Sequence, residues 1–269
     1  MLSAKLPQPY TQNWIAGILA TSRTVLRIGF AAGLLCTFMY VPKSFAFTDS
    51  FISKFLDFAM TNVAGRRQLT KWEQEIKVVI VENQPAPPEL FRQVAHLFDE
   101  FHALTGQRVI ISTAANVVDG NVLVLFTGNL AQALQKYRAR MLPYFENATA
   151  LERFLSAVNA ASPCSVQVTF DKPELRIVNA VLVVNWRSAL ESSEQMIATK
   201  HDIARSVAYL LGALNPTGAT TFESVTNRRG KLTDFSENDK AFLKILYNHN
   251  FLSGITWYNV VQKLRSMNP

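Results

Sequence analysis

The chain has no acidic residue before Asp49, although four basic residues precede it, at Lys5, Arg23, Arg27 and Lys43. An apolar run of 14 residues, 28–41, lies in this segment. It suits the core of a signal peptide and is short for a membrane span of about 20 residues. Small residues then precede a cleavage position after Ala46. Residues 1–46 are therefore predicted to be a signal peptide or, if retained, an anchor in the inner membrane, and the remainder is expected in the periplasm or outside the cell.

Little excess charge remains beyond that leader. The whole chain has 27 basic and 20 acidic residues, a net charge of +7, and without residues 1–46 the counts are 23 and 20, a net charge of +3. Its basic clusters, Arg66-Arg67 and Arg228-Arg229-Gly230-Lys231, have no aromatic or glycine-rich frame that would hold nucleic acid. We therefore expect no nucleic-acid partner, and membrane contact only through residues 1–46.

Cysteine and histidine are also scarce, with two and four residues respectively. Cys36 lies in the leader, so Cys164 remains without a disulfide partner and is interpreted as a buried small hydrophobe. His96 and His102 are six positions apart on one predicted helix and face different ways. There is no glycine-rich phosphate loop and no nucleophile elbow. The sequence therefore predicts no metal and no cofactor.

Hydrophobic patterning predicts an α+β domain with a mixed sheet of about five strands and helices packed on it. Residues 47–70 are expected to form an N-terminal helix and a connector, and residues 71–269 a single domain. The continuous apolar run at 76–81 is typical of a strand buried on both faces. The other predicted strands are 108–112, 122–126, 165–170 and 176–186, and those at 165–170 and 176–186 are expected to form a hairpin.

Local signals set most of the predicted helix boundaries. Asp119-Gly120-Asn121 is expected to be the turn between the second and third strands. Thr149 with Glu152, and Ser192 with Gln195, match helix-capping boxes. The helix that begins at Ser192 is expected to run to about Leu214, followed by a long loop, 215–233, and two closing helices.

One face of this long helix carries the residues where chemistry would be expected. Arg205 and Tyr209 are spaced i, i+4, as two metal ligands on one helix would be, with Ser206 beside them and Gly212 near the helix end. Arginine stays protonated and cannot bind zinc, and serine cannot replace the carboxylate that acts as general base. The spacing therefore matches a metal site, but the residue types do not.

This helix, ending in Leu211-Gly212-Ala213-Leu214-Asn215, resembles the zinc helix of the metzincin metalloproteases. The resemblance implies that Arg205 and Tyr209 occupy the positions of the first two histidine ligands, Ser206 that of the catalytic glutamate, and Asn215 that of the third ligand. It also implies a zincin-like fold for the domain.

A closer resemblance is to a bacterial family of exported proteins of unknown function, which look like degenerate metzincins. It covers roughly residues 69–264 and includes Lys71-Trp72, the Cys164 strand, Gly212, and Asp239 through Leu246-Tyr247 to Gly254. Members of that family carry acidic residues and a glutamine on the Gly212 helix, and usually a second cysteine. This chain departs from that pattern at Arg205, Ser206 and Tyr209.

These observations favour a non-catalytic protein of the cell envelope that binds another protein or a peptide. The expected binding residues are Arg205, Tyr209, Asn215, Arg228 and Arg229. One alternative is a secreted hydrolase whose site is assembled from distant residues such as His201, Asp202 and Asp239. The other is a membrane-tethered structural component that uses residues 1–46 as its anchor.

Overall fold

A computed structural model of the chain describes residues 47–63, 66–113, 120–159, 161–172, 174–214, 223–227 and 230–267. Its strands are β1 Met60–Val63, β2 Arg66–Leu69, β3 Ile76–Glu82, β4 Val109–Ser112, β5 Val122–Thr127, β6 Cys164–Asp171 and β7 Arg176–Asn185. Five of them form a central mixed sheet in the order β4-β3-β5-β7-β6. Strands β4, β3, β5 and β7 are parallel, and β6 is antiparallel to β7 at the edge.

Helices cover both faces of this sheet, which confirms the predicted α+β class and the mixed sheet of five strands. The seven α-helices in the described residues are α1 Asp49–Ala59, α2 Pro88–Thr105, α3 Leu130–Met141, α4 Ala148–Ala157, α5 Ser193–Leu210, α6 Glu237–Leu246 and α7 Trp257–Ser266. None of these helices is long and apolar enough to span a bilayer.

The two faces of the sheet bury different halves of the hydrophobic core. Val78, Ile80, Val124 and Leu182 point towards the side that holds α2, α5 and α6. The alternate residues of the same strands, such as Val79 and Leu123, point towards α3 and α4. Successive side chains of a strand point to opposite faces, so a strand buried on both sides is apolar throughout. This explains why β5 is buried at every position.

Two local predictions were wrong in detail. The segment before residue 70, expected as a connector, includes a small antiparallel hairpin of β1 and β2. Helix α4 is capped two residues earlier than expected, because the Asn147 side chain accepts the N–H of Ala150 at 2.9 Å. An asparagine side chain is as good a cap as threonine, and both stand at this helix start.

Strands β4 and β5 do not pair with each other, so they are not the adjacent strands expected on either side of a turn at residues 119–121. Each pairs with β3, on opposite sides. Asn121 binds the β3 segment directly, since its side chain accepts the N–H of Lys77 at 2.7 Å and donates to the carbonyl of Glu75 at 2.7 Å. A Cβ at Gly120 would lie 2.3 Å from the Val79 side chain, so this glycine permits close approach to β3. Asp119 lies outside the described residues.

Candidate functional site

Helix α5 begins where the sequence predicts. The side chain of Ser192 caps it by accepting the N–H of Gln195 at 3.1 Å. Regular α-helix ends at Leu210, four residues before the predicted end. Arg205, Ser206 and Tyr209 share one face of α5, as their i, i+1, i+4 spacing predicts, and the fold places this face next to strand β6.

A cavity of about 380 Å³ lies between α5 and β6, and we refer to it as the α5–β6 cavity. Its lining combines the face of α5 predicted from sequence with residues of β6, the end of α5 and a later segment. The lining residues are Cys164, Val166, Arg205, Ser206, Tyr209, Ala213 and Thr226. The structure therefore brings Arg205 and Tyr209 to one site, together with partners that sequence spacing did not indicate.

Charge in this cavity is largely compensated. Arg205 forms an ion pair with Asp202, one turn earlier on α5, with 2.8 Å between Nη2 and Oδ1. Burial raises the pKa of the Cys164 thiol, the negative charge of Asp202 raises it further, and the hydrogen bond with Ser206 and the charge of Arg205 lower it only in part. Burial also raises the pKa of Tyr209. Thiol and phenol therefore stay protonated at neutral pH, and neither is an activated nucleophile.

The C-terminal end of α5 is held by residues from two distant parts of the chain. The indole N–H of Trp72 donates to the carbonyl of Leu210 at 2.9 Å, and the hydroxyl of Tyr247 donates to the carbonyl of Leu211 at 2.9 Å. These bonds satisfy carbonyls that a helix end leaves without partners. The resemblance motifs at Trp72 and Tyr247 thus build the frame of α5.

Gly212 follows with φ +103°, a conformation that residues with a side chain rarely adopt. A Cβ at this position would also lie 2.8 Å from the Thr70 carbonyl. Both the backbone turn and the close contact with the segment before β3 therefore require glycine here.

The three residues of the hydrolase alternative occupy separate environments. Asp239 is fully buried, and its carboxylate accepts hydrogen bonds from Ser224 Oγ at 2.5 Å, Val225 N–H at 3.0 Å and Ser236 Oγ at 2.7 Å. His201 is buried with its ring nitrogens 2.7 and 3.1 Å from the carbonyls of Leu232 and Asn227. Asp202 pairs with Arg205. No hydrogen bond or ion pair links these three residues in the described part of the chain.

Of the five predicted binding residues, Asn215, Arg228 and Arg229 lie outside the described residues. Within the described ranges, no group of three or more histidine, cysteine, aspartate or glutamate side chains is placed to hold a metal ion. Cys164 is buried and free, as predicted. Its position beside Arg205 and Ser206 had no sequence signal, because strand β6 and helix α5 are brought together only by the tertiary fold.

Comparison with known proteins places the chain in a family. Residues 48–266 match the family described as "Protein of unknown function (DUF2927)", a range that spans α1 to α7. No curated protein and no solved structure matches. The predicted membership of a family of unknown function is confirmed, while the likeness to metzincins stays a prediction. This chain belongs to the DUF2927 family of proteins of unknown function.

Proposed function

We propose that this chain is a non-catalytic, exported protein of the cell envelope that binds an extended segment of another protein or a peptide, on a scaffold resembling that of the metzincin proteases. The observation that carries the proposal is the edge strand β6, which pairs with β7 on one side and borders the α5–β6 cavity. An extended peptide adds readily to such an edge, with main-chain hydrogen bonds for affinity and adjacent cavities for specificity.

The hydrogen-bond pattern between β6 and β7 shows which backbone N–H and C=O groups of β6 are available to such a peptide. Asn185 of β7 donates its N–H to the carbonyl of Pro163 at 2.8 Å. Because the two sides of an antiparallel strand alternate, Ser165 and Gln167 then direct their backbone groups to β7, and Val166 directs its own outward. No hydrogen bond from a described residue reaches those outward groups of Val166. They offer one donor and one acceptor to an added strand.

The neighbouring outward carbonyls of β6 are already covered. Ser162 Oγ donates to the carbonyl of Cys164 at 2.7 Å, and Gln167 Nε2 donates to the carbonyl of Val168 at 2.8 Å. Such side-chain cover limits uncontrolled pairing of an edge strand. With those two carbonyls covered, the backbone groups of Val166 are the accessible part of this edge among the described residues, and they lie next to Tyr209 and Arg205.

The residue types on α5 support binding rather than catalysis. Arg205, Ser206 and Tyr209 line the cavity at the positions where the resemblance places two zinc ligands and the general base. A guanidinium does not bind zinc, and neither a serine nor a protonated phenol replaces the carboxylate that activates zinc-bound water. A tyrosine and an arginine are, however, residue types enriched where proteins bind other proteins.

The leader supports the location of the proposed activity. Residues 1–46 lie outside the described residues, and their basic, acid-free composition with an apolar run is typical of export. N-terminal sequencing of the protein from envelope fractions tests this part. A start at residue 47 indicates cleavage, a start at residue 1 in the membrane fraction indicates an anchor, and recovery in the cytoplasmic fraction contradicts export.

Peptide selection tests the binding proposal directly. A phage library of random octapeptides is selected against the full chain, and affinity for the enriched peptides is measured by fluorescence anisotropy. Tyr209→Ala is expected to weaken binding on the order of tenfold, and Tyr258→Ala on α7, an equally drastic change at an exposed tyrosine, should leave it unchanged. Methylating peptide N–H groups one at a time should weaken binding at alternate positions, since only every second N–H faces β6.

Two results would contradict this proposal. Equal affinity for the wild type, Tyr209→Ala and Val166→Pro would place binding elsewhere. Val166→Pro removes an outward N–H of an edge strand, where proline is tolerated, and replaces one apolar side chain of the cavity lining by another. The urea midpoint confirms that the variant is folded. Stoichiometric zinc in metal analysis of the purified protein would defeat the non-catalytic part.

A further inference from the structure

A second cavity, of about 560 Å³, lies on the opposite face of β6, between that strand and helix α4. We refer to it as the α4–β6 cavity. Helix α4 contributes residues spaced i, i+3, i+4, i+7 to its wall, and β6 contributes residues 165–170, in which Ser165, Gln167 and Thr169 alternate with residues that pack against the core. Its lining includes Ala150, Arg153, Phe154, Ala157, Ser165 and Gln167. The edge of the sheet at β6 therefore has a cavity on each face.

We propose that the α4–β6 cavity receives an apolar side chain of the segment bound at β6, with an acidic side chain two residues away from it beside Arg153. This inference rests on the proposed function. A strand added to β6 continues the sheet, so its side chains alternate between the two faces. One set lies over the α5–β6 cavity and the next set over the α4–β6 cavity.

The floor of the α4–β6 cavity favours an apolar group. Phe145 and Phe154 pack with their ring centroids 5.3 Å apart, and Ala150 and Ala157 extend this surface along α4. Phe145 and Phe154 are each 7% exposed, so little of either ring faces solvent. An aliphatic or aromatic side chain placed here removes its own surface, and part of theirs, from water.

Charge complementarity indicates the acidic neighbour. Arg153 is exposed at the cavity wall and forms no ion pair with any described residue. The charges around it are matched, since Lys172 pairs with Glu146 at 3.3 Å and Arg138 pairs with Glu152. Residues two apart on a strand share a face. A carboxylate at that spacing from the apolar side chain reaches the unmatched guanidinium.

A second copy of this chain fits the edge poorly. Pairing of two β6 strands would place Ser165, Gln167 and Thr169 of one copy in the α4–β6 cavity of the other, and none of these side chains is apolar or acidic. The cavity therefore favours a different partner, whose extended segment carries an apolar residue, any residue and an acidic residue in either chain direction.

The random octapeptide library tests this preference, with selections run in parallel on the full chain and two variants. Wild type is expected to enrich apolar-x-acidic or acidic-x-apolar peptides. Ala157→Trp fills the cavity from an exposed helix position and should lose that enrichment. Ala103→Trp, the same change on the exposed face of α2, should keep it.

The affinity of the best enriched peptide, compared with that of altered peptides and protein variants, then measures the apolar contact and the ion pair separately. Changing its apolar residue to Asn should weaken binding roughly 10- to 100-fold, the effect of burying a large side chain. Changing its acidic residue to the amide should weaken binding about two- to fivefold, as for an exposed ion pair. Arg153→Gln should abolish this second difference, whereas Arg108→Gln at the opposite edge of the sheet should preserve it.

The outcomes separate the two proposals. Enriched peptides that depend on Tyr209 and Val166 but show no apolar-x-acidic pattern would overturn this inference and leave strand addition at β6 intact. Absence of any enriched peptide would overturn both. A dimer in sedimentation that Val166→Pro converts to monomer would assign the edge to a second copy and overturn this inference.

Discussion

The last turn of helix α5 and its middle turns are held in different ways. At the end, Trp72 and Tyr247 satisfy the final carbonyls, and Gly212 lies against the Thr70 backbone. In the middle, the cavity-facing side chains of Arg205 and Tyr209 border open space, and among the described residues Arg205 forms an ion pair only within its own helix. The difference teaches that the frame of this helix is constrained by the whole fold, whereas its cavity face can change chemistry at little structural cost.

The largest expected effect comes from breaking the frame at Gly212. Gly212→Ala should lower the free energy of unfolding by about 3–5 kcal/mol, because it combines backbone strain with a contact too close to the Thr70 carbonyl. Urea denaturation measures this loss. Gly106→Ala is the matched control, since Gly106 has φ +71° and a Cβ there would meet nothing within 4 Å, and it should cost only about 1–2 kcal/mol. Equal costs would show that close packing at Gly212 contributes nothing.

Asp239, on helix α6, binds the segment that contains Thr226, and Thr226 lines the α5–β6 cavity. Asp239→Asn removes the negative charge that these hydrogen bonds share. Its amide oxygen can keep Val225 N–H and Ser236 N–H, which both donate to Oδ2, but its N–H₂ group then faces the Ser224 hydroxyl that donates to Oδ1. The expected loss is about 2–4 kcal/mol in urea denaturation. Asp234→Asn, at an exposed aspartate, should change stability by less than about 0.5 kcal/mol. A stable Asp239→Asn protein would favour a chemical role for this carboxylate.

Two substitutions of tyrosine by phenylalanine compare the end of α5 with its cavity-facing middle. One removes the Tyr247 hydroxyl that binds the helix end, and the other removes the Tyr209 hydroxyl in the cavity. Tyr247→Phe should cost about 1–3 kcal/mol, because it leaves the Leu211 carbonyl and the Trp72 N–H without a partner. Tyr209→Phe should cost less than about 0.5 kcal/mol, since its hydroxyl makes no hydrogen bond with a described residue. Thermal or urea denaturation of both variants measures the contrast. Similar losses would mean that the cavity face is as constrained as the helix end.

The smallest expected effect is a pH dependence from Cys164. Burial raises the pKa of this thiol in the folded protein, whereas the unfolded thiol loses its proton near pH 9. Above that pH the folded state binds more protons than the unfolded state, so stability falls as pH rises. Between pH 8 and pH 10 the wild type should lose about 1.4 kcal/mol more than Cys164→Ala. An identical pH dependence would mean that the thiol ionises equally in both states.

Local patterns predicted much of the fold because their causes are local. Ser192 caps the helix that follows it, as predicted, because its side chain lies within three residues of the N–H group that it binds. The apolar run at Ile76 predicted a strand buried on both faces. The pairing of β4 and of β5 with opposite sides of β3 was not predictable in this way, because it depends on contacts between distant segments, such as those of Asn121 with residues 44 and 46 positions away.

The candidate site also has a part that the sequence predicted and a part that it did not. Helical spacing alone placed Arg205, Ser206 and Tyr209 on one face, since 3.6 residues complete each turn. Nothing in the spacing indicated that Cys164, Val166 and Thr226 complete the α5–β6 cavity. The α4–β6 cavity was not predicted at all, although the alternating polar residues Ser165, Gln167 and Thr169 are the signal of a strand face that the core does not cover.

Residue order alone determined which side chains share a helix face or a strand face, where most helices start, and that Arg205, Ser206 and Tyr209 rather than histidine or carboxylate occupy one face of α5. These properties depend on neighbours within a few positions, so a short stretch of chain specifies them. The partners of each face, the open edge of β6 and its two cavities were decided only by the tertiary structure. They require segments tens to more than a hundred residues apart to meet, which burial of a shared core achieves and local conformational preference does not.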